Sequence, residues 1–319
     1  AENIAFKVSG AELIAACSIN ESELADAKES FDIEHVYSDY DEMLLNKEMD
    51  AIFVGSSSNV HCEQIEKALK AGYHVFTEKP LGVNLEETLR VKEVVDAHPD
   101  KIFMLGFMRR YDKSYSYAKE MIDNGKIGKP FLVRCYGVDP DTDALKVIPF
   151  LKTSGGIFQD MASHDVDLAR WFLGKEAKSV YAVGGCYKYP QYAAEGDIDN
   201  GVAIINFEDN MICMLYVGRT CPNGYQVETE IIGTEGTLRI ASVPEKNHIT
   251  IYDNTGAVRE CSHDFLERFD DAYVNEVKEF VSCILENRKP GVGVIDGINA
   301  TKITGACQKA YETGTIVHI

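Results

Sequence analysis

Apolar and polar positions follow two rhythms along this chain, and the change from one to the other near residue 109 divides it. Before that point, short apolar runs bounded by turn residues are interleaved with stretches whose apolar residues recur every three or four positions. The runs 13–17, 51–55, 73–77 and 101–107 read as strands, and 21–30, 40–47, 59–71 and 84–97 as helices. Strand and helix in alternation imply βαβ units, and so a parallel sheet covered on both faces. Residues 1–12 read as helix running into a turn at Ser9-Gly10. After a helix over 113–124 that ends at Asn124-Gly125, the rhythm changes. Strands are predicted at 131–138 and then at 177–188, 200–208, 211–219 and 225–233, the last four with no helix between them, which predicts a largely antiparallel sheet. A helix over 154–173 can lie on one face of that sheet, and helices 267–286 and 295–311 close the chain. The expectation is an α/β chain of two domains. Residues 1–108 carry the parallel sheet, and 109–319 form an α+β domain with a large, mostly antiparallel sheet.

Composition narrows the partners. With 319 residues, 45% of them hydrophobic, the chain can bury two sizeable cores. A formal charge of -19 argues against a nucleic-acid or anionic-membrane partner, because both need clustered cations. The nine cysteines are an odd number with no CxxC pair, so neither a disulfide framework nor a zinc site is indicated, and they suit a reducing cytoplasm. No stretch reads as a signal peptide or as an apolar run able to span a bilayer.

Two motifs carry candidate chemistry. The first is SGGIFQDMASHDVDLARW, residues 154–171, in which Ile157, Met161, His164, Leu168 and Trp171 recur at helical spacing. Asp160 and His164 are four apart, neighbours on such a helix. An imidazole oriented by a carboxylate can exchange a proton with a hydroxyl near neutral pH. A histidine on an apolar face also serves commonly as a hydrogen-bonded core residue. The second motif is HVFTEKPLGVN, residues 74–84. It places Glu78 and Lys79 at the carboxyl end of a strand, where parallel sheets take their ligands, and Pro80 holds Lys79 extended. Asn84 then opens a helix with Glu87 at the capping-box spacing. Ser56, Ser57 and Asn59 follow the apolar strand at 51–54 and can either contact a cofactor or cap the next helix.

TEKPLGVN, GFMRRYDKSY (106–115) and SGGIFQDMASHDVDLARW, in that order, resemble the Gfo/Idh/MocA oxidoreductase family. RCYGVDPD (134–141) and YVGRTCPNGYQVETEIIG (216–233) extend the similarity to the inositol 2-dehydrogenases, scyllo-inositol type, over essentially the whole chain. The resemblance implies an N-terminal Rossmann-like domain that binds NAD or NADP, with Lys79, Asp160 and His164 as catalytic residues. It implies cofactor contacts from Ser18, Ser56, Ser57, Asn59, Glu78 and Lys79, and substrate contacts from Lys79, Asp139, Asp160, His164 and Tyr225. Asp139 is expected in the loop after strand 131–138, where a turn role before Pro140 is the alternative; Tyr225 begins strand 225–233. The implied activity is reversible oxidation of a secondary hydroxyl of scyllo- or myo-inositol, with glucose or another aldose as the alternative substrate. A non-catalytic sensor of sugar or nucleotide is the alternative of another class. The family also implies a cytoplasmic homotetramer, one sheet face packing on a partner subunit, and no metal.

Three departures from the family pattern matter. No Gly-rich phosphate-binding turn precedes residue 10, so the first strand and its loop are expected to lie before Ala1, leaving a gap in the parallel sheet. Ser18 stands where an acid usually holds the adenosine ribose, and no arginine follows it to hold a phosphate, which leans towards NAD. Val138 replaces an arginine common in the myo-inositol enzymes, which leaves the stereoisomer open. Arg109 and Arg110, in the segment where the chain crosses between domains, are expected to brace the interface in preference to holding an anion.

Overall fold

The computed structural model describes the backbone of residues 1–319 and every side chain except those of Lys152 and Thr153. The chain forms two compact units, Ala1–Met108 with Asp271–Ile298, and Arg109–Asp270 with Asn299–Ile319.

In the first unit, β1 (Ala15–Cys17) pairs in parallel with β2 (His35–Tyr37), Ala15 opposite His35. Their crossover helix, Glu21–Phe31, starts where the Asn20 side chain accepts from the Ser22 amide and stops at Asp32, which turns into the left-handed region at φ 52°. A second parallel sheet has the order β3 (Ala51–Val54), β4 (His74–Glu78), β5 (Phe103–Gly106). The two sheets share no strand pairing. Helix His61–Lys70 connects β3 to β4 and buries His61, Cys62, Ile65, Ala68 and Leu69, the stripe its periodicity predicts. Helix Leu85–Ala97 opens at the predicted cap, the Asn84 side chain accepting from the Glu87 amide. Predicted helix 40–47 shrinks to Tyr40–Met43, and 1–12 holds only one wide turn, Asn3–Lys7.

The first unit's core forms where residues after 270 return to the parallel sheets. Val274 and Val277 pack on Ile4 and Val8. Phe280 meets Phe53 of β3 edge-on at 5.3 Å and Phe76 of β4 at 5.7 Å, while Phe53 and Phe76 stack at 4.9 Å. Each such ring pair adds about 0.5–1.5 kcal/mol beyond the area it buries.

The second unit is built on a seven-stranded sheet. Its strands are β6 (Pro130–Pro140), β7 (Ala177–Gly185), β8 (Asn200–Phe207), β9 (Ile212–Cys221), β10 (Gln226–Gly233), β11 (Thr237–Ile240) and, at the end of the chain, β14 (Val317–His318). The order is β11-β10-β6-β9-β8-β7-β14 and every pairing is antiparallel except β6 with β9. A separate hairpin, β12 (Glu245–Asp253) and β13 (Gly256–Cys261), follows β11. Helix Ser163–Leu173 packs on β6, buried along nearly all its length.

The predicted helix 154–173 starts later and in two assigned pieces, Ile157–Met161 and Ser163–Leu173, after a short turn of helix, Leu151–Ser154, that ends where it was expected to begin. Gly155 and Gly156, at φ 80° and 90°, take backbone angles that residues with a Cβ rarely adopt. The Asp197 carboxylate then accepts from the Ile157 amide at 3.0 Å, so a distant carboxylate starts the piece at Ile157.

Candidate active site

Four of the catalytic and substrate candidates lie in the second unit. A residue that the sequence did not single out joins two of them. Arg219 stands on β9 in a register otherwise filled by Cys213, Leu215, Val217 and Cys221, and it is the largest fully buried side chain. Its Nη2 donates to Asp160 Oδ2 at 2.6 Å and its Nη1 to Asp139 Oδ2 at 3.3 Å, with the guanidinium over the Tyr192 ring at 5.9 Å. Burial opposes the charge on Arg219, but Asp160 and Asp139 outweigh burial and raise its pKa. A buried cation requires such partners, because stripping one of water is otherwise prohibitive.

Asp139 is not in a loop. It is the penultimate residue of β6, at an irregularity where pairing with β9 shifts between Val138 and Pro140, and such a bulge re-aims a side chain. The turn role is therefore replaced by the ion pair with Arg219. Asp160 belongs to Ile157–Met161 and the buried His164 to Ser163–Leu173; the two pieces meet at Ala162, whose backbone stays in the α region, its amide donating to the Phe158 carbonyl and its carbonyl accepting from Val166.

The His164 helix is riveted in place. Arg109 Nη1 donates to Asp165 at 2.6 Å, and Arg110 donates to Asp167 at 2.8 and 2.5 Å while stacking on Trp171 at 5.5 Å. Both arginines brace this helix, through ion pairs that lie within the second unit. Tyr225 precedes β10 and is buried, its ring edge-on to Phe269 at 6.3 Å. Its hydroxyl accepts from Arg109, and burial pushes its pKa up to about 12. Asp199 anchors a neighbouring loop by accepting from the amides of Tyr187, Lys188 and Tyr189.

The first unit holds the remaining candidates. Lys79 follows β4 and is joined to Pro80 by a cis peptide bond. Glu78 ends the strand, and burial raises its pKa against the pull of Lys79. His61 ties the two loops at the carboxyl ends of β3 and β4, one ring nitrogen 2.9 Å from the Ser56 carbonyl and the other 2.9 Å from the Pro80 carbonyl. Ser56 Oγ donates to Gln64 at 2.6 Å. Ser57 and Asn59 lie at the short turn Ser58–Val60, which has no side-chain cap, so the capping alternative falls away there. Ser18 Oγ donates to Glu23 at 2.6 Å and accepts from the Asn20 amide, which brings a carboxylate to the end of β1.

These residues fit a dinucleotide. At Gly55, after β3, a Cβ would meet no atom within 4 Å, so the backbone beside Ser56 is open to a ligand at the carboxyl edge of a parallel sheet. Among the described residues no cluster of acids, histidines or cysteines is arranged to hold a metal ion. Nor is any helix among them long and apolar enough to cross a membrane.

Residues 1–107 match the family model described as an oxidoreductase family with an NAD-binding Rossmann fold, and 115–239 match the GFO/IDH/MocA C-terminal domain. The chain belongs to the Gfo/Idh/MocA oxidoreductase family. Among members of the family with solved structures, it is similar to scyllo-inositol dehydrogenase from Lactobacillus casei with bound NAD(H) and scyllo-inositol. That match has 44% identity and a TM-score of 0.96, covering 99% of this chain and 94% of that one. It is also similar to myo-inositol 2-dehydrogenase from Lactobacillus plantarum, with 40% identity and a TM-score of 0.97, covering 100% and 94%. A curated relative, scyllo-inositol 2-dehydrogenase (NAD(+)) from Bacillus subtilis, is 32% identical over 100% of this chain and 92% of its own length. The α/β fold, with parallel sheets followed by a large and mostly antiparallel one, is thus that of a Gfo/Idh/MocA oxidoreductase.

Proposed function

We propose that this protein reversibly oxidises one secondary hydroxyl of scyllo- or myo-inositol to the ketone. The observation that carries this reading is the Arg219-bound pair Asp139 and Asp160 on a helix–sheet layer shared with His164, in a chain 40–44% identical to solved inositol dehydrogenases. His164 takes the hydroxyl proton. Lys79 donates to the same oxygen and stabilises the negative charge that develops on it. Asp160, whose one oxygen is engaged by Arg219, uses its carboxylate to hold the substrate hydroxyl and the imidazole in register. Asp139 and Tyr225 position the polyol ring.

Ser18, Ser56, Ser57, Asn59, Glu78 and Lys79 are the residues that hold the dinucleotide, whose nicotinamide accepts the hydride when bound. The Glu23 carboxylate beside Ser18 favours NAD, since a 2′-phosphate would be repelled there. The nine thiols, none of them in a disulfide, suit the cytoplasm.

A homotetramer is supported by the outer face of the second unit's sheet. Exposed Tyr181, Ile204 and Met214 lie in register across β7, β8 and β9, with Val183 and Val202 in the adjacent row. A contiguous apolar sheet face of this kind is normally covered by a subunit.

The test is a panel of cyclic polyols and aldoses assayed with NAD and with NADP, following absorbance of the reduced cofactor. Turnover of an inositol with NAD is the expected result. Turnover of aldoses alone replaces the substrate, and cofactor binding without turnover of any member overturns the enzyme reading.

A further inference from the structure

Both ends of the Asp160–Arg219 ion pair are fastened to one three-residue segment. Asp160 lies in the first turn of the helical run that opens at Ile157, where backbone amides have no carbonyl to meet within the helix. The residue before that run is Gly156, which has no side chain to cap it and whose φ of 90° leaves the entry to the run permissive. The acceptor comes instead from Asp197, whose Oδ1 takes the Ile157 amide at 3.0 Å, three residues before Asp160. Two residues past Asp197, the Asp199 carbonyl takes the Arg219 backbone amide at 2.9 Å. With Arg219 Nη2 on Asp160 Oδ2 at 2.6 Å, the contacts close into a ring that runs from Asp160 to Arg219, Asp199, Asp197, Ile157 and back.

The segment is itself firmly held. Asp197, Ile198 and Asp199 are all buried. The Asp197 amide donates to the Tyr192 carbonyl at 3.0 Å, and its carbonyl accepts from the Cys186 thiol at 3.3 Å. Tyr192, whose ring meets the Arg219 guanidinium, donates its hydroxyl to the Ala144 carbonyl at 2.5 Å. The Asp199 carboxylate gathers the amides of Tyr187, Lys188 and Tyr189, and the side chains of Lys188 and Tyr189 in turn donate to Asp141, two residues beyond Asp139. The second acid that Arg219 joins is thus reached from the same segment.

We infer that Asp197 is a positioning residue for Asp160: by capping Ile157 it sets where the first turn begins, and so where the Asp160 carboxylate stands between Arg219 and the substrate. The inference deepens the reading above and rests on Asp160 meeting the polyol. What the run takes from Asp197 is one acceptor oxygen more than a charge. Its Oδ2 is buried with no hydrogen-bond partner among the described residues, and burial raises its pKa. Asparagine offers the same acceptor oxygen, and alanine offers none.

The experiment is steady-state kinetics on the full chain with an inositol and NAD, for the wild type, Asp197→Ala and Asp197→Asn, and for Asp197→Ala combined with Asp160→Asn. Asp197→Ala should lower kcat/KM for the inositol by about tenfold, while the KM for NAD changes by less than about twofold. Asp197→Asn should return it to within about threefold of the wild type. In the Asp160→Asn background the alanine change should cost less than about threefold, because the carboxylate it places is gone. An equal, tenfold cost in both backgrounds makes Asp197 a general fastening and overturns the positioning role, as does an asparagine variant as slow as the alanine one. Amide hydrogen exchange at Ile157, followed by NMR on the wild type, needs no variant to fold: strong protection is expected, and free exchange overturns the cap. A wild type that turns over no polyol fails the functional reading. A wild type that turns one over, with equal losses in both backgrounds or free exchange at Ile157, fails this inference alone.

Discussion

Arg219 donates to Asp160 at 2.6 Å from a position with almost no solvent contact. The acid is therefore committed to a cation through Oδ2. Removing the cation as Arg219→Met should leave Asp139 and Asp160 facing each other. Both carboxylates keep 32% exposure, so the stability loss should fall short of the roughly 3–5 kcal/mol typical of breaking a fully buried pair. The kcat/KM for an inositol should fall by at least about tenfold because register is lost, and Arg219→Lys, which cannot reach two acids as a fork, should recover only part of it. Steady-state kinetics beside thermal melts check both.

The proton and oxyanion roles make a sharper demand. Lys79→Ala and His164→Ala are each expected to lower turnover by about a hundredfold or more while NAD affinity stays nearly unchanged. Stopped-flow turnover and a fluorescence titration on Trp171 measure the two quantities. Near-normal turnover in both variants would remove the catalytic assignment.

Asp199 offers a pH prediction with a definite sign. Burial raises its pKa, but the amides of Tyr187, Lys188 and Tyr189 outweigh burial, so the folded pKa lies below the ordinary 3.8. The unfolded chain then binds the proton more readily. The stabilisation is fully present above about pH 4 and is lost as pH falls through the folded pKa. Asp199→Asn should therefore cost about 1 kcal/mol at pH 7 and progressively less below pH 4, which melting temperatures across that range will register.

Cofactor choice can be read at Glu23. Its carboxylate accepts from the Ser18 hydroxyl and the Asn20 side chain, just past the end of β1. Glu23→Gln is expected to raise kcat/KM with NADP relative to NAD by about tenfold, and the ratio measured with both cofactors at one ionic strength is the check.

Assembly is tested at the outward face of the sheet. Ile204, paired with Tyr181 and Met214, is 36% exposed in the single chain. Ile204→Asp should convert a tetramer into a smaller species by light scattering, since burying an unpaired carboxylate opposes subunit docking. An unchanged mass would place the interface elsewhere.

Much of this fold was legible because local and tertiary preferences agree. Asn84 caps its helix as its spacing predicts, the stripe from His61 to Leu69 is buried, and β4 ends at Glu78 directly before Lys79. The failures have physical causes. β2 has only three residues, too few to show a periodicity. The start of the piece at Ile157 is set by a cap that Asp197 supplies, and Asp160 is gripped by Arg219, both far along the chain. Asp139 sits at a strand irregularity that no local pattern announces. Arg219 did leave a trace, a cation in the inward register of an otherwise apolar strand, and its meaning depended on two acids that only folding brings near.

The mooring of these side chains has a practical meaning. The acid is tied to the sheet by one arginine, and the helix that carries the imidazole is tied by two others, at Asp165 and Asp167. Under the proposed roles, substitutions at Arg219 and at Arg109 or Arg110 therefore address the two groups by separate ion pairs.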